Sequence, residues 1–98
     1  VELEFSSNRL DKASTSFSEA NRLFGVAIGR KYIQRLGLLR ATEKFSQLYG
    51  FQALKLHHLK GNREGQFAIS LTGNYRLIIE KIQEDKVLIL DLEDYHGD

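Results

Sequence analysis

The 98 residues contain no cysteine, no proline, no methionine and no tryptophan. Without cysteine, a disulfide framework and a thiolate metal site are both excluded. Without proline, element boundaries must be read from glycines, capping residues and periodicity alone. No apolar run approaches the ~18 residues of a membrane-spanning helix. The opening VELEFSSNRL lacks a basic start followed by an apolar stretch, so no secretory signal is expected either. These absences predict a cytoplasmic protein with no membrane association. At 42% hydrophobic and 28% charged residues, the composition is that of a folded chain. Its length suits one domain over residues 1–98 with one modest core.

A net charge of +1 conceals an asymmetry. Residues 1–50 carry eight Lys/Arg against five Asp/Glu, and residues 51–98 carry six against eight. Between 22 and 44, Arg22, Arg30, Lys31, Arg35, Arg40 and Lys44 face only Glu43. A basic helical surface suits a polyanion, although charged helix faces are also the norm in ordinary domains.

The periodicity places helices first and strands second. Residues 1–5 alternate apolar and acidic, as a short half-buried strand does. A polar Ser-, Asn- and Thr-rich stretch follows, with Ser16 and Ser18 as candidate helix caps. Over 18–41 apolar residues recur at helical spacing, and Gly25, Gly29 and Gly37 predict a bend or break. The small residues of GVAIG predict close packing of this helix on a sheet. Residues 42–50 read as a short helix with Thr42 as its cap and Gly50 as its end. From there the period is two. Strands are expected over 53–59, 66–71, 75–82 and 87–95, joined by KGNREG, TGN and QEDK. The VLIL run in the last strand predicts an interior position. The expected fold is α+β: a helical pair packed on one face of an antiparallel sheet with a mixed edge. Residues 1–50 supply the edge strand and helices, and 51–96 the sheet.

Candidates for chemistry cluster in that second half. LKLHHLKGNR brings together Lys55, His57, His58, Lys60 and Arg63. Arg76 shares a strand face with Ile78, Glu80 and Ile82, and an arginine in a strand must reach solvent, a carboxylate or a ligand. Asp94, Tyr95 and His96 close the last strand. Imidazoles, an acid, a phenol and cations are the set needed to cleave RNA through its own 2′-hydroxyl. A base takes the 2′ proton, cations offset charge on the phosphorane, and an acid protonates the leaving 5′ oxygen. That route requires no cofactor. Plainer roles exist for each: a surface histidine, a turn lysine at Lys60, rim tyrosines, an internal Arg76–Glu80 pair. A zinc site from His57, His58, Asp94 and His96 fits no standard ligand spacing.

KLHHLKGNREGQFAISLTGNYRLIIE followed by VLILDLEDYH resembles the HigB-like toxins, the plasmid-maintenance-killer branch of the RelE/ParE superfamily. The resemblance spans about residues 54–96 and rests on L-H-x-L-K-G-x-R-x-G, an aromatic-Arg pair in a strand, and a terminal D-Y-H. It implies a RelE/ParE-like sheet and a ribosome-dependent endoribonuclease that cuts messenger RNA and is restrained by an antitoxin, a helix-turn-helix DNA-binding protein. The toxin would be a monomer alone and a hetero-oligomer with that partner. His57, Lys60, Arg76, Asp94, Tyr95 and His96 fall on the family's functional positions. His58 stands where relatives often carry proline, which leaves the choice of active imidazole open. The basic residues from Arg22 to Lys44, with Arg63, become the expected contacts to ribosomal RNA and mRNA phosphates. The rival expectations are a ParE-like inhibitor of gyrase and a non-catalytic binding module of the same fold.

Overall fold

The computed structural model describes residues 1–94, so the expected site residues Tyr95 and His96 lie outside the described residues. In chain order the elements are β1 (Glu2–Phe5), α1 (Asn8–Thr15), α2 (Phe17–Phe24) and α3 (Val26–Ala41), followed by 3-10 helices at Phe45–Gly50 and Gln52–Leu54. Then come β2 (His57–His58), β3 (Gln66–Ser70), β4 (Tyr75–Gln83) and β5 (Lys86–Asp94). The strands make one five-stranded sheet in the order β1-β5-β4-β3-β2. Strand β1 runs parallel to β5, and every other pairing is antiparallel. The α+β fold with a mixed edge is as expected, and β5 is interior.

The helical half differs from its prediction in three places. The polar stretch after β1 is a helix, α1. Ser7 caps it, accepting from the Leu10 N–H at 3.3 Å. Its polar composition hides it because only Leu10, Ala13 and Ser14 are buried. The Ser14 hydroxyl donates to the Asp11 carbonyl at 2.6 Å and accepts from Arg40 at 3.3 Å, so its burial leaves nothing unsatisfied. The break falls at Gly25, whose φ of +85° ends α2 and starts α3, a conformation glycine adopts without penalty. Gly29, expected against the sheet, packs helix on helix: a Cβ there would lie 2.8 Å from the backbone carbonyl of Ala20. Thr42 ends α3 rather than starting the next helix, its hydroxyl donating to the Leu38 carbonyl at 2.8 Å.

The predicted strand over 53–59 is reduced to β2. The 3-10 turn Gln52–Leu54 and a left-handed Lys55 (φ +48°) interrupt the alternation ahead of it. The 3-10 helix Phe45–Gly50 docks on the β4–β5 turn, where the Phe45 N–H donates to the Glu84 carbonyl at 2.6 Å.

One face of the sheet holds the main core. From α3, Tyr32, Leu36 and Leu39 recur at helical spacing and meet Ile69, Leu77, Ile79, Val87 and Ile89. Each such side chain contributes roughly 1.5–3 kcal/mol by leaving water. The outer face carries a far smaller buried group, Leu59, Ala68 and Ile78, with Leu90 beside it. Among the described residues, no helix is long and apolar enough to cross a membrane.

Candidate active site

Cross-strand register assigns each candidate to a face, because directly opposed residues share one. His57 opposes Ala68, which opposes Ile78. Ala68 and Ile78 belong to the outer cluster, so His57 lies on the outer face. Arg76, two positions from Ile78, joins it there in a row formed with Ser70 and Glu93. His58 opposes Phe67 on the helix side and stacks on that ring, centroids 4.7 Å apart and planes at 21°. The two adjacent imidazoles are thus divided between faces. His57 is the one that shares a face with Arg76.

Each of that pair is held by local backbone. The left-handed turn at Lys55 brings its carbonyl to the His57 ring, where Nδ1–H donates at 3.0 Å. A neutral imidazole with its proton on Nδ1 keeps its lone pair on Nε2. The Arg76 Nη1 donates to the carbonyls of Thr72 at 3.0 Å, Gly73 at 3.3 Å and Tyr75 at 3.1 Å. The β3–β4 turn therefore folds around the guanidinium and fixes it at one end of the sheet.

Asp94 is placed differently, for a reason the sequence does not reveal. Ile79 pairs with Ile89 but Ile78 pairs with Asp91, so Leu90 is an extra residue, a bulge in β5. Counting by twos from Leu88 and Leu90 would bring Asp94 to the outer face with Arg76. The bulge reverses the alternation: Leu92 packs on the main core, and Asp94 pairs with Tyr75, which packs there too. Beside that row, between the helices and β5, lies a cleft of ≈ 270 Å³ whose walls include Arg9, Phe24, Tyr75, Asp91 and Leu92. The candidates of the described chain thus straddle the end of the sheet, His57 and Arg76 outside and Asp94 on the helix side.

Lys60 is exposed in the connection between β2 and β3, which turns at Gly61 (φ +78°) and Gly65 (φ +81°). Arg63, in the same connection, grips Glu93 with both ends of its fork, Nη2–Oε2 at 2.6 Å and Nη1–Oε1 at 3.1 Å. Its Nε donates to the Gln66 side chain at 3.0 Å. Glu93 and Gln66 are therefore part of the arrangement, and sequence reasoning missed both. An acid beside the D-Y-H end was the only trace of Glu93.

The basic residues of the helices sort into two groups. Arg35 is engaged within the fold, donating to the carbonyls of Ser70 at 2.9 Å and Ala53 at 3.4 Å. Arg40 reaches Ser14. Arg22, Arg30, Lys31 and Lys44 are exposed. Arg22 pairs with Glu19 at 2.6 Å, a contact that lowers the glutamate's pKa and raises the arginine's. Arg30 sits over the Phe17 ring, 5.7 Å from its centroid.

With this geometry in view, comparison with known proteins is informative. Over 45 residues, 46% of its length, the chain is 47% identical to "Endoribonuclease HigB" of Proteus vulgaris. The chain spans about half the length of that curated relative, the match covering 48% of it. The fold matches a YoeB/ParE toxin from Agrobacterium tumefaciens with a TM-score of 0.65, over 98% of this chain and 100% of that one, at 12% identity. It also matches the YoeB-YefM complex from Staphylococcus aureus, with a TM-score of 0.63 over 99% and 98% of the two chains at 15% identity. No protein-family profile matches. The chain has the YoeB/ParE toxin fold, and the HigB-like resemblance read from its motifs is borne out.

Proposed function

We propose that this chain, HigB-like in sequence and YoeB/ParE-like in fold, is the toxin of a type II toxin–antitoxin system, a single-domain endoribonuclease that cuts mRNA on the ribosome. The observation that carries the reading is the outer-face pair: His57, its tautomer set by Lys55, alongside Arg76, held in its turn. In that tautomer His57 Nε2 is a proton acceptor suited to a 2′-hydroxyl. Arg76 and Lys60 bind the scissile phosphate and offset the charge that grows on it. Asp94, the last residue of β5, and Tyr95 and His96, which follow it in the sequence, serve the leaving 5′ oxygen, with Tyr95 assisting. These residues carry the reaction without recourse to a cofactor. Arg22, Arg30, Lys31, Arg40 and Lys44 contact ribosomal RNA through phosphates, a role independent of sequence. Arg35 contributes less, being engaged by carbonyls.

The Staphylococcus aureus neighbour was solved as a complex, which supports a protein partner here. We assign that role to a helix-turn-helix antitoxin, with the free toxin monomeric and cytoplasmic. Expression of the chain without its partner tests the reading. Growth arrest with new mRNA 5′ ends in phase with codons is the expected outcome, lost in His57→Gln and His96→Gln variants that fold. DNA damage without mRNA cuts would transfer the protein to gyrase inhibitors. No effect at all would make it a binding module.

A further inference from the structure

Among the described residues, the connection between β2 and β3 carries a side-chain tether to β5. Arg63 uses Nη1 and Nη2 for the two oxygens of Glu93 and Nε for Gln66. A guanidinium held by a bidentate carboxylate and a third hydrogen bond is a defined joint rather than a loose surface pair. Both side chains are about one-third exposed, at 33% and 34%, so the joint sits at the rim of the outer face. Its two ends lead to different parts of the site. Arg63 lies three residues after Lys60, and Glu93 opposes Arg76 across the strands and directly precedes Asp94. On the same face Leu59, Ala68 and Ile78 form a small buried group separate from the main core.

We propose that Arg63 and Glu93 are positioning residues: a latch that fixes the Lys60-bearing connection over the outer face, in register with Arg76 and the end of β5. On this assignment Arg63 is not chiefly a contact to RNA. Glu93 is its working partner rather than a bystander to the terminal acid and base groups. Gly61 and Gly65 turn the connection at positive φ, and backbone bonds from the Gln66 N–H to the Arg63 carbonyl (3.0 Å) and from the Lys81 N–H to the Gly65 carbonyl (3.3 Å) close its β3 end; the latch adds the side-chain tie to β5. An ion pair this exposed contributes little to global stability, so its loss loosens the connection without unfolding the chain.

The part concerning Lys60 rests on the proposed ribonuclease reading; the ordering of the connection does not. The test uses the full chain as Arg63→Ala, Glu93→Gln, and the charge swap Arg63→Glu with Glu93→Arg, each checked by thermal melting. Amide hydrogen exchange over residues 60–66 should rise by roughly tenfold or more in both single variants and recover in the swap. Cleavage of ribosome-bound mRNA should lose kcat by about 10–100-fold in both singles, the cost of a small misplacement. KM should stay within about twofold, and the swap should regain most of the rate. The assignment is overturned by unchanged exchange in both singles. It is equally overturned if Glu93→Gln is neutral while Arg63→Ala raises KM and flattens the salt dependence of binding, the signature of a direct phosphate contact. Should the wild type cleave no RNA, the functional reading fails, and the latch is still judged by the exchange rates.

Discussion

The two faces of the sheet are built to different standards. On the helix side, Tyr32, Leu36, Leu39, Leu77, Ile79 and Ile89 are fully or almost fully out of water, and a large aliphatic and aromatic group fills the space. On the outer side, three buried residues and one half-buried leucine make a thin apolar floor, surrounded by His57, Arg63, Arg76 and Glu93. The lesson is a division of labour across one layer of backbone. The helix side holds the strands in register, and the outer side uses that register to set polar groups in rows. Stability and chemistry should therefore respond to different substitutions.

The largest effect expected from this division is a crossed pair of outcomes. Leu36→Ala removes a fully buried side chain and should cost about 2–5 kcal/mol of unfolding free energy. Its residual activity should track the folded fraction. His57→Gln, on the exposed outer face, should lower cleavage by roughly 10²–10⁴-fold with a melting temperature close to wild type. Denaturant titration and single-turnover cleavage on the same two variants check both halves. If His57→Gln were as destabilising as Leu36→Ala, the comparison between faces would collapse.

What the sequence revealed follows the same division. Alternation in 66–71 and 75–82 marked both segments as strands because each is long enough to show its period. The candidate residues were legible by type, in His57, Lys60, Arg76 and Asp94, and the two-faced placement of His57 and His58 follows from parity once β2 is known. Three features were not legible. Helix α1 buries one leucine, Leu10, with the small Ala13 and Ser14, so it leaves no apolar stripe to read. The strand around His57 is two residues long, because a left-handed Lys55 stops the alternation, and nothing about a lysine announces a positive φ. The Leu90 bulge lies inside an unbroken apolar run, where an added residue changes no pattern, yet it moves Asp94 to the other face. The last two failures are local backbone events overriding a side-chain period.

A second prediction probes how tightly the helix side is assembled. Gly29 has no room for a Cβ, which would approach the Ala20 carbonyl carbon and oxygen to 2.8 Å and the Asn21 nitrogen to 3.0 Å. These are backbone atoms of α2, so relief requires the helices to separate. Gly29→Ala should therefore destabilise by about 1–3 kcal/mol, despite alanine's better helix propensity. Gly37→Ala, in the same helix with nothing within 4 Å, should be neutral or slightly stabilising. Equal melting temperatures for the two variants would show that α2 and α3 are less closely docked than their backbones indicate.

The smallest effect separates the faces by their response to pH. Tyr32 is buried on the helix side, and its hydroxyl donates to the Leu10 carbonyl at 2.7 Å. Burial pushes its phenol well above the ordinary value, since the phenolate would lose its water. The sign follows from proton counting. Above about pH 10 the unfolded phenol gives up its proton while the folded one keeps it, so the unfolded state binds fewer protons and stability falls as pH rises. Below that pH both forms are neutral and Tyr32 contributes no slope. Tyr32→Phe should remove this part of the alkaline decline. At neutral pH it should cost about 1 kcal/mol, because the Leu10 carbonyl loses its buried donor. Urea titrations at pH 7 and pH 10.5 check both statements: the gap between wild type and variant should narrow at the higher pH. A gap that stayed constant would mean that water reaches the Tyr32 hydroxyl, and that the helix side is not the dry half of the molecule.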